Sequence, residues 1–187
     1  MQIRLAAPLQ HDSIVDGEGI RTVIWTQGCI HNCLGCHNPE THDFNGGLLV
    51  DIEDIKNELG SLENQSGVTF SGGDPMCQPE PCSILAKYIQ SLGLSVWCYT
   101  GYTYETLIEM SKTNKYIKNF LENIDVLIDG KFMIELKSLD ILFRGSSNQR
   151  IIDVKKSLKK GEIILLDKYM DIIERKNKVK KEPYIYI

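Results

Sequence analysis

Several features that would place this chain in a familiar class are missing from its 187 residues. It has no run of 18 apolar residues, so no segment is predicted to span a membrane. The N-terminal stretch MQIRLAAPLQHDS lacks the apolar core of a secretory signal, and we therefore expect a cytoplasmic protein. The charges are balanced, with 21 Lys and Arg against 25 Asp and Glu, which gives no sign of a general nucleic-acid binder.

A fourth cysteine is missing where one would complete a metal site. The stretch GCIHNCLGCHNPE, residues 28–40, contains Cys29, Cys33 and Cys36, three of the six cysteines in the chain. In a reducing compartment, clustered cysteines bind metals or react more often than they form disulfides. A structural metal site normally closes its coordination shell with protein ligands, so three cysteines indicate that something else also binds there.

Two kinds of metal site are compatible with these thiolates. A zinc site would recruit a fourth ligand from His31, His37 or one of the remaining cysteines, which are Cys77, Cys82 and Cys98. An iron–sulfur cubane would use the three thiolates for three irons. Its fourth iron would stay open to a small molecule that carries amino and carboxylate groups.

Apolar runs rich in β-branched and aromatic residues alternate with helical patterns. The runs predict buried strands at 21–28, 67–73, 94–101, 124–130 and 140–147. Helices are predicted at 51–63, at 79–92 and, as two short helices, within 103–122. Asp51 and Thr103 are expected to cap the first helix and the first of the two short ones, and Gly93 is expected to end the helix at 79–92. This alternation is typical of an α/β fold with a mostly parallel sheet. The connection before the last strand is too short for a parallel crossover, so that strand is expected to run antiparallel or to lie at an edge.

The predicted strands end in similar polar or glycine-rich sequences, namely TQGC, FSGGDP, CYTGY, IDGKF and FRGSSNQR. Ligands of α/β proteins gather at the carboxyl ends of strands, so this repetition predicts one shared site. SGGDP alone is more often an ordinary turn, but here it follows the strand after the cysteine loop.

Six stretches together resemble the anaerobic ribonucleoside-triphosphate reductase activating proteins of the radical S-adenosylmethionine (SAM) superfamily. They are DSIVDGEGIRTVIWTQGC, CHNPETHDFNGG, FSGGDP, YTGYTYE, VLIDGKF and FRGSSNQR, within residues 12–152. The superfamily's signature loop carries the same C-x3-C-x2-C spacing. The resemblance implies a single radical SAM domain over residues 1–187, built as a partial (βα) barrel open on one side. Residues 153–187 would form a basic C-terminal extension.

The resemblance also implies the cofactors and the residues that hold them. A [4Fe-4S] cluster would be bound by Cys29, Cys33 and Cys36, with SAM on the open iron. The expected cofactor-binding residues are Gly35, Cys36, His37, Gly72, Gly73, Asp74, Thr100, Gly101, Asp129 and Arg144. The strand-end residues among them also suit ordinary turns. The polar residues Arg144, Ser146, Asn148 and Gln149 also suit a hydrogen-bonded loop or a contact with the partner.

The implied reaction begins when the reduced cluster passes one electron to SAM. The resulting 5′-deoxyadenosyl radical takes a hydrogen atom from a glycine of the partner reductase, while the protein orients and shields the cofactor. The implied partners are this reductase and a reduced flavodoxin or ferredoxin-type electron donor, with no membrane and no direct nucleic-acid partner. The alternatives are another small radical SAM enzyme (a 7-carboxy-7-deazaguanine synthase or another glycyl-radical enzyme activase) and a non-catalytic zinc or iron–sulfur module.

Three positions depart from the family pattern. Glu18 stands where proline is expected in DGPGIR, and Asp74 stands where many members carry glutamate. Gly35 replaces an aromatic residue before the third cysteine, so we expect backbone contacts from Gly35 to His37 instead of aromatic stacking on adenine. The segment 150–187 holds 11 Lys and Arg against 6 Asp and Glu, which is typical of a solvated extension or of a surface for an acidic partner.

Overall fold

The computed structural model describes residues 1–169, and one eight-stranded sheet lies at its centre. The sheet has the order β4–β1–β3–β5–β6–β7–β8, and β2 pairs with β3 beside this path. The strands are β1 (Gln2–Leu5), β2 (Gln10–Ser13), β3 (Arg21–Thr26), β4 (Leu48–Asp51), β5 (Gly67–Gly72), β6 (Ser95–Tyr99), β7 (Val126–Asp129) and β8 (Arg150–Asp153).

The sheet is mixed, and the prediction of a mostly parallel sheet is wrong for the sheet as a whole. Strands β3, β5, β6 and β7 are parallel neighbours, as their buried apolar runs predict. Strands β1, β2, β4 and β8 join them in antiparallel pairs. Three of these four were missed because they are four residues long and carry weak apolar patterns. In β2, for example, three of the four residues are exposed.

The last strand lies at Arg150–Asp153, and the prediction of a strand at 140–147 is wrong. Residues 140–147 form a loop in which Phe143 has a φ of 56° and the Leu142 side chain is largely exposed. Strand β8 pairs antiparallel with β7, with Arg150 opposite Asp129. The edge strand is therefore antiparallel, but not for the reason inferred from the sequence, since the connection at 130–149 is long enough for a parallel crossover.

Five helices lie in the described part of the chain, and the sequence predicted four of them. They are α1 (Ile52–Gly60), α2 (Pro79–Ser91), α3 (Tyr104–Ser111), α4 (Lys115–Glu122) and α5 (Val154–Lys160). The two predicted caps are confirmed, because the Asp51 side chain accepts from Glu53 N and the Thr103 side chain accepts from Thr106 N. Gly93 has a φ of 76° just after α2, in agreement with its predicted role as a helix stop.

Strand residues alternate between two apolar cores, because successive side chains of a strand point to opposite faces. Val96, Leu127 and Ile152 pack in the core that contains the apolar residues of the helices. The intervening residues pack in a second cluster, which includes Trp97, Val126, Ile128, Ile151, Phe143 and Tyr169. The second face of the sheet is thus covered by the loop around Phe143 and by a short turn at Asp167–Tyr169.

No helix within residues 1–169 is long and apolar enough to cross a membrane. The extension predicted at 153–187 starts inside the described fold, since Asp153 ends β8 and caps α5. The remainder of that prediction, residues 170–187, lies outside the described residues.

Candidate iron–sulfur and cofactor site

The three clustered cysteines lie on a loop that follows β3, and backbone hydrogen bonds fix this cysteine loop (residues 28–37). Gly28 N donates to Thr41 O at 2.8 Å, and Cys36 N donates to Cys33 O at 3.1 Å. The loop turns at Asn32 (φ 45°) and Gly35 (φ 71°). A Cβ at position 35 would lie 2.6 Å from Ile134 Cδ1, so both the backbone and the packing favour glycine there.

The loop after β5 is in direct backbone contact with the cysteine loop. Gly73 N donates to Thr26 O at 2.7 Å, and Asp74 N donates to Gly28 O at 2.9 Å. A Cβ at Gly73 would overlap the Gly28 carbonyl oxygen and lie 2.8 Å from its carbon. The SGGDP sequence is therefore more than a turn, because its glycines allow two strand-end loops to touch.

A cavity of about 680 Å³ opens beside these two loops. It brings together most of the side chains and glycines expected from the sequence at a shared site. The expected residues that line it are Cys29, Cys33, Cys36, His37, Gly72, Gly73, Thr100, Gly101 and Arg144. They come from the ends of β3, β5 and β6 and from the loop before β8, so the predicted convergence of strand ends is confirmed.

Three of the expected cofactor-binding residues lie outside the cavity lining. Gly35 faces Ile134. Asp74 is fully buried behind the wall, where it accepts hydrogen bonds from Thr100 Oγ1 and Gly101 N. Asp129 is buried, and it accepts a hydrogen bond from Tyr104 N, at the start of α3, at 2.7 Å.

Asp129 also forms an ion pair with Arg150, which in turn pairs with Glu105. The Arg150 guanidinium holds the pKa of Glu105 at about 2, below its ordinary value of 4.5. These contacts join β7, β8 and α3, so the structure gives Asp129 a role in holding the sheet edge.

The polar residues of the FRGSSNQR sequence form mainly a loop network. Gln149 Oε1 accepts from Gly145 N at 2.8 Å, and Gln149 Nε2 donates to Gly130 O at 3.0 Å. Asn148 donates to Lys131 O at 2.8 Å. Arg144 lines the cavity, and its guanidinium donates to Gln149 O and Tyr169 O.

Several apolar residues of the cavity wall were not predicted. Ile14 and Val15 come from the loop after β2, and Leu139, Ile141 and Leu142 come from the loop before β8. Ile14, Val15 and Leu139 are each at least 70% exposed. Exposed apolar residues do not follow the periodic pattern by which buried residues are recognised in a sequence. The signal available for Ile14, Val15, Ile141 and Leu142 was their position inside the stretches DSIVDGEGIR and DILFRGSS, and Leu139 directly precedes the second stretch.

The thiols at the cavity are accessible, and all three are partly exposed and free of disulfides. Burial raises the pKa of the Cys29 thiol, while the backbone N–H groups of His31 and Asn32 act in the opposite direction. Metal binding requires the thiolate and favours its formation, so the same N–H groups would support a bound sulfur.

The other three cysteines have a different character. Cys82 and Cys98 are fully buried, and burial raises the pKa of each thiol well above 9. Cys77 is half-buried next to the Asp74 carboxylate, and its pKa is raised to about 11. Thiols of this kind pack as small apolar groups and are poor metal ligands.

The arrangement of ligands fits a cluster better than a single ion. Within residues 1–169, no three His, Cys, Asp or Glu side chains converge where they could hold one metal ion. A cubane does not require such convergence, since each thiolate binds a different iron. His31, one of the candidates for a fourth zinc ligand, is hydrogen-bonded to Asp74 at 2.8 Å.

Comparison with known proteins agrees with this chemistry. A family model described as a 4Fe-4S single cluster domain matches residues 15–152. The anaerobic ribonucleoside-triphosphate reductase-activating protein of Haemophilus influenzae is 35% identical over 147 residues, which cover 74% of this chain and 90% of the relative. Its Escherichia coli K12 counterpart is 35% identical over 145 residues, covering 73% and 90%. The chain belongs to the anaerobic ribonucleoside-triphosphate reductase-activating proteins.

Membership of this activating-protein family extends to a viral relative. The protein of the same name from Enterobacteria phage T4 is 34% identical over 144 residues, covering 73% of this chain and 86% of the relative. Among solved structures, QueE from Escherichia coli is similar to this chain at 18% sequence identity and a TM-score of 0.45. The similarity covers 55% of this chain and 53% of the QueE chain. The matched 4Fe-4S domain contains the cysteine loop, the SGGDP loop and the end of β6.

Proposed function

We propose that this protein generates a glycyl radical on an anaerobic ribonucleoside-triphosphate reductase. The observation that carries the proposal is the contact of the cysteine loop with the glycine-rich loop beside one cavity of about 680 Å³. When bound, a reduced [4Fe-4S] cluster and SAM supply a one-electron cleavage that ends in removal of a hydrogen atom from a reductase glycine. Cys29, Cys33 and Cys36 hold the cluster.

The rest of the cavity wall binds and orients SAM. Gly72 and Gly73 expose backbone groups to its methionyl end, since no side chain stands between the backbone and the cavity. Thr100, Gly101, Cys36 and His37 contact the remainder of the cofactor, and Arg144 borders it on the side of the loop before β8. The carboxylates of Asp74 and Asp129 support this wall from behind.

The architecture suits a protein substrate. We take the open mixed sheet and its loops as a partial barrel of the radical SAM type, in a single domain with a basic C-terminal extension at 153–187. Its open side admits a glycine-containing loop of a partner, whereas a small free substrate would be poorly enclosed. The reductase, an electron donor of the flavodoxin or ferredoxin type and clustered free thiols all fit a cytoplasmic protein.

The test combines the reduced protein, SAM and the cognate reductase without oxygen and records an electron paramagnetic resonance (EPR) spectrum. We expect a glycyl-radical doublet on the reductase that disappears when its radical-site glycine becomes alanine. Cofactor cleavage to 5′-deoxyadenosine and methionine without that doublet would leave the radical chemistry standing and exclude the reductase as the substrate.

A further inference from the structure

A buried hydrogen bond at the cavity wall joins the cysteine loop to the glycine-rich loop, and its donor, His31, is one of the residues that line the cavity. His31 lies between Cys29 and Cys33, and its Nε2 donates to Asp74 Oδ2 at 2.8 Å. The His31 and Asp74 side chains are only 5% and 1% exposed. Water therefore competes little for this hydrogen bond, and a hydrogen bond to a charged group in such a place is among the stronger ones.

The acceptor positions of the Asp74 carboxylate are all used by hydrogen bonds within the protein. Four donors reach it, namely His31 Nε2, Gly101 N, Thr100 Oγ1 and Met76 N, at distances from 2.8 to 3.0 Å. A carboxylate has about four lone-pair positions, so four donors use its capacity. Asp74 thereby ties together the ends of β3, β5 and β6 and has no acceptor left for a ligand in the cavity.

The His31 ring fits a slot that the neighbouring residues shape for it. It packs edge-on against Tyr102, with ring centroids 4.6 Å apart. On another side it lies against Gly101, where a Cβ would come within 2.7 Å of His31 Cγ. Gly101 is thus required by the imidazole ring, and the ring position is set by packing as well as by the hydrogen bond to Asp74.

We propose that His31 is a positioning residue that, through Asp74, holds the cysteine loop at a fixed spacing from Gly72, Gly73 and Thr100. This inference rests on the proposed function, because the spacing matters for a cofactor held at both loops. A ligand that two loops grip at once binds more tightly when the loops are already fixed before it arrives. Although His31 lines the cavity, this effect acts through Asp74 and needs no contact between the imidazole and the cofactor.

The test compares three variants of the cluster-loaded protein with wild type. His31→Leu removes the donor but keeps an apolar side chain in the slot, and His31→Gln restores an N–H donor at a similar reach. His11→Leu is the matched control, since His11 Nε2 also contacts a carboxylate, Glu58 Oε1 at 2.9 Å, but at the surface away from the cavity. Iron and sulfide content and the change in the EPR spectrum of the reduced protein on SAM titration are the readouts.

We expect His31→Leu to keep its iron and sulfide and to bind SAM roughly 10- to 100-fold more weakly, as the loss of a hydrogen bond to a charged group predicts. His31→Gln should recover most of the affinity, and His11→Leu should match wild type.

Wild-type affinity in His31→Leu, or equal weakening in His31→Gln, would overturn the proposal. So would loss of the cluster from His31→Leu alone, which would make His31 an assembly residue. Failure of wild type itself to bind or cleave SAM would instead refute the proposed function.

Discussion

At the scale of single residues, the six cysteines divide into two groups with different predicted chemistry. Replacing Cys29, Cys33 or Cys36 by alanine should abolish or severely lower cluster assembly, because each removes one of three thiolates at the cavity. Cys77→Ala is the control, since this thiol lies outside the lining and its pKa is raised to about 11. Iron and sulfide analysis after anaerobic reconstitution measures the outcome. Zinc without sulfide in the wild-type protein would contradict the prediction.

Gly73 is the second residue whose identity the structure makes testable. Gly73→Ala places a Cβ against the Gly28 carbonyl, and a backbone group cannot turn aside as a flexible side chain can. The two loops must move apart, at a cost of about 1–3 kcal/mol, and SAM affinity should fall about tenfold or more. Gly60→Ala is the matched control, because its Cβ would meet only the end of the Tyr88 side chain. Equal SAM affinity in the two variants, measured by titration, would remove Gly73 from the site.

At the scale of elements, the sequence predicted those that carry strong periodic signals. The helices capped by Asp51 and Thr103 and the four parallel strands follow from their apolar patterns and caps. Strand β8 was misplaced because Leu142 and Phe143 read as strand residues, whereas Leu142 faces solvent and Phe143 packs from a left-handed turn. Tertiary contacts decide whether such an apolar segment forms a strand, and these contacts cannot be read from the local sequence.

The same contrast between local sequence patterns and tertiary contacts applies to the candidate site. The cysteine and glycine motifs mark strand ends that meet, because parallel strands bring their carboxyl ends to one edge of the sheet. The sequence could not reveal that Asp74 accepts from four donors or that Asp129 is paired with Arg150. Their donors, His31 and Arg150, belong to other strand ends or to the misplaced strand.

The edge formed by β7, β8 and α3 depends on one arginine. Arg150→Met leaves the buried Asp129 carboxylate without its ion pair, and we expect a loss of about 2 kcal/mol of unfolding free energy. This loss is smaller than the loss expected for a fully buried pair, because the Arg150 side chain is 31% exposed. Lys112→Met breaks only an exposed pair with Glu109 and should cost less than about 0.5 kcal/mol. Denaturant unfolding followed by circular dichroism gives both values. Equal losses would show that the Arg150 pairs are not stabilising.

The Arg150 effect should also depend on pH. The pKa of Glu105 is lowered to about 2 from 4.5 by Arg150, so the Glu105 contribution is fully present above pH 4.5 and is lost as the pH falls toward 2. The difference in stability between wild type and Arg150→Met should therefore be smaller near pH 3 than near pH 7. A difference that grows on acidification would contradict the assigned pair.

At the scale of the whole molecule, an aromatic cluster on the second face of the sheet connects the cavity to the end of the described chain. Phe143 lines the cavity, and its ring packs against Trp97 and Tyr169 at 5.3 Å, while Trp97 and Tyr169 are 5.7 Å apart. The Tyr169 hydroxyl donates to Glu18 Oε2 at 2.7 Å. Glu18, which stands in place of the expected proline, thus holds the turn that closes this face.

Removing the Tyr169 ring should consequently affect both stability and the cavity. We expect Tyr169→Ala to cost about 3 kcal/mol of unfolding free energy and to weaken SAM binding, because Phe143 loses a ring that supports it. Tyr169→Phe keeps the ring and removes only the hydrogen bond to Glu18, so it should cost about 1 kcal/mol and leave the affinity near that of wild type. Unfolding followed by tryptophan fluorescence, together with SAM titration of the cluster-loaded protein, separates the two effects. Weak SAM binding in Tyr169→Phe, or wild-type binding in Tyr169→Ala, would show that the aromatic cluster stabilises the fold without shaping the cavity.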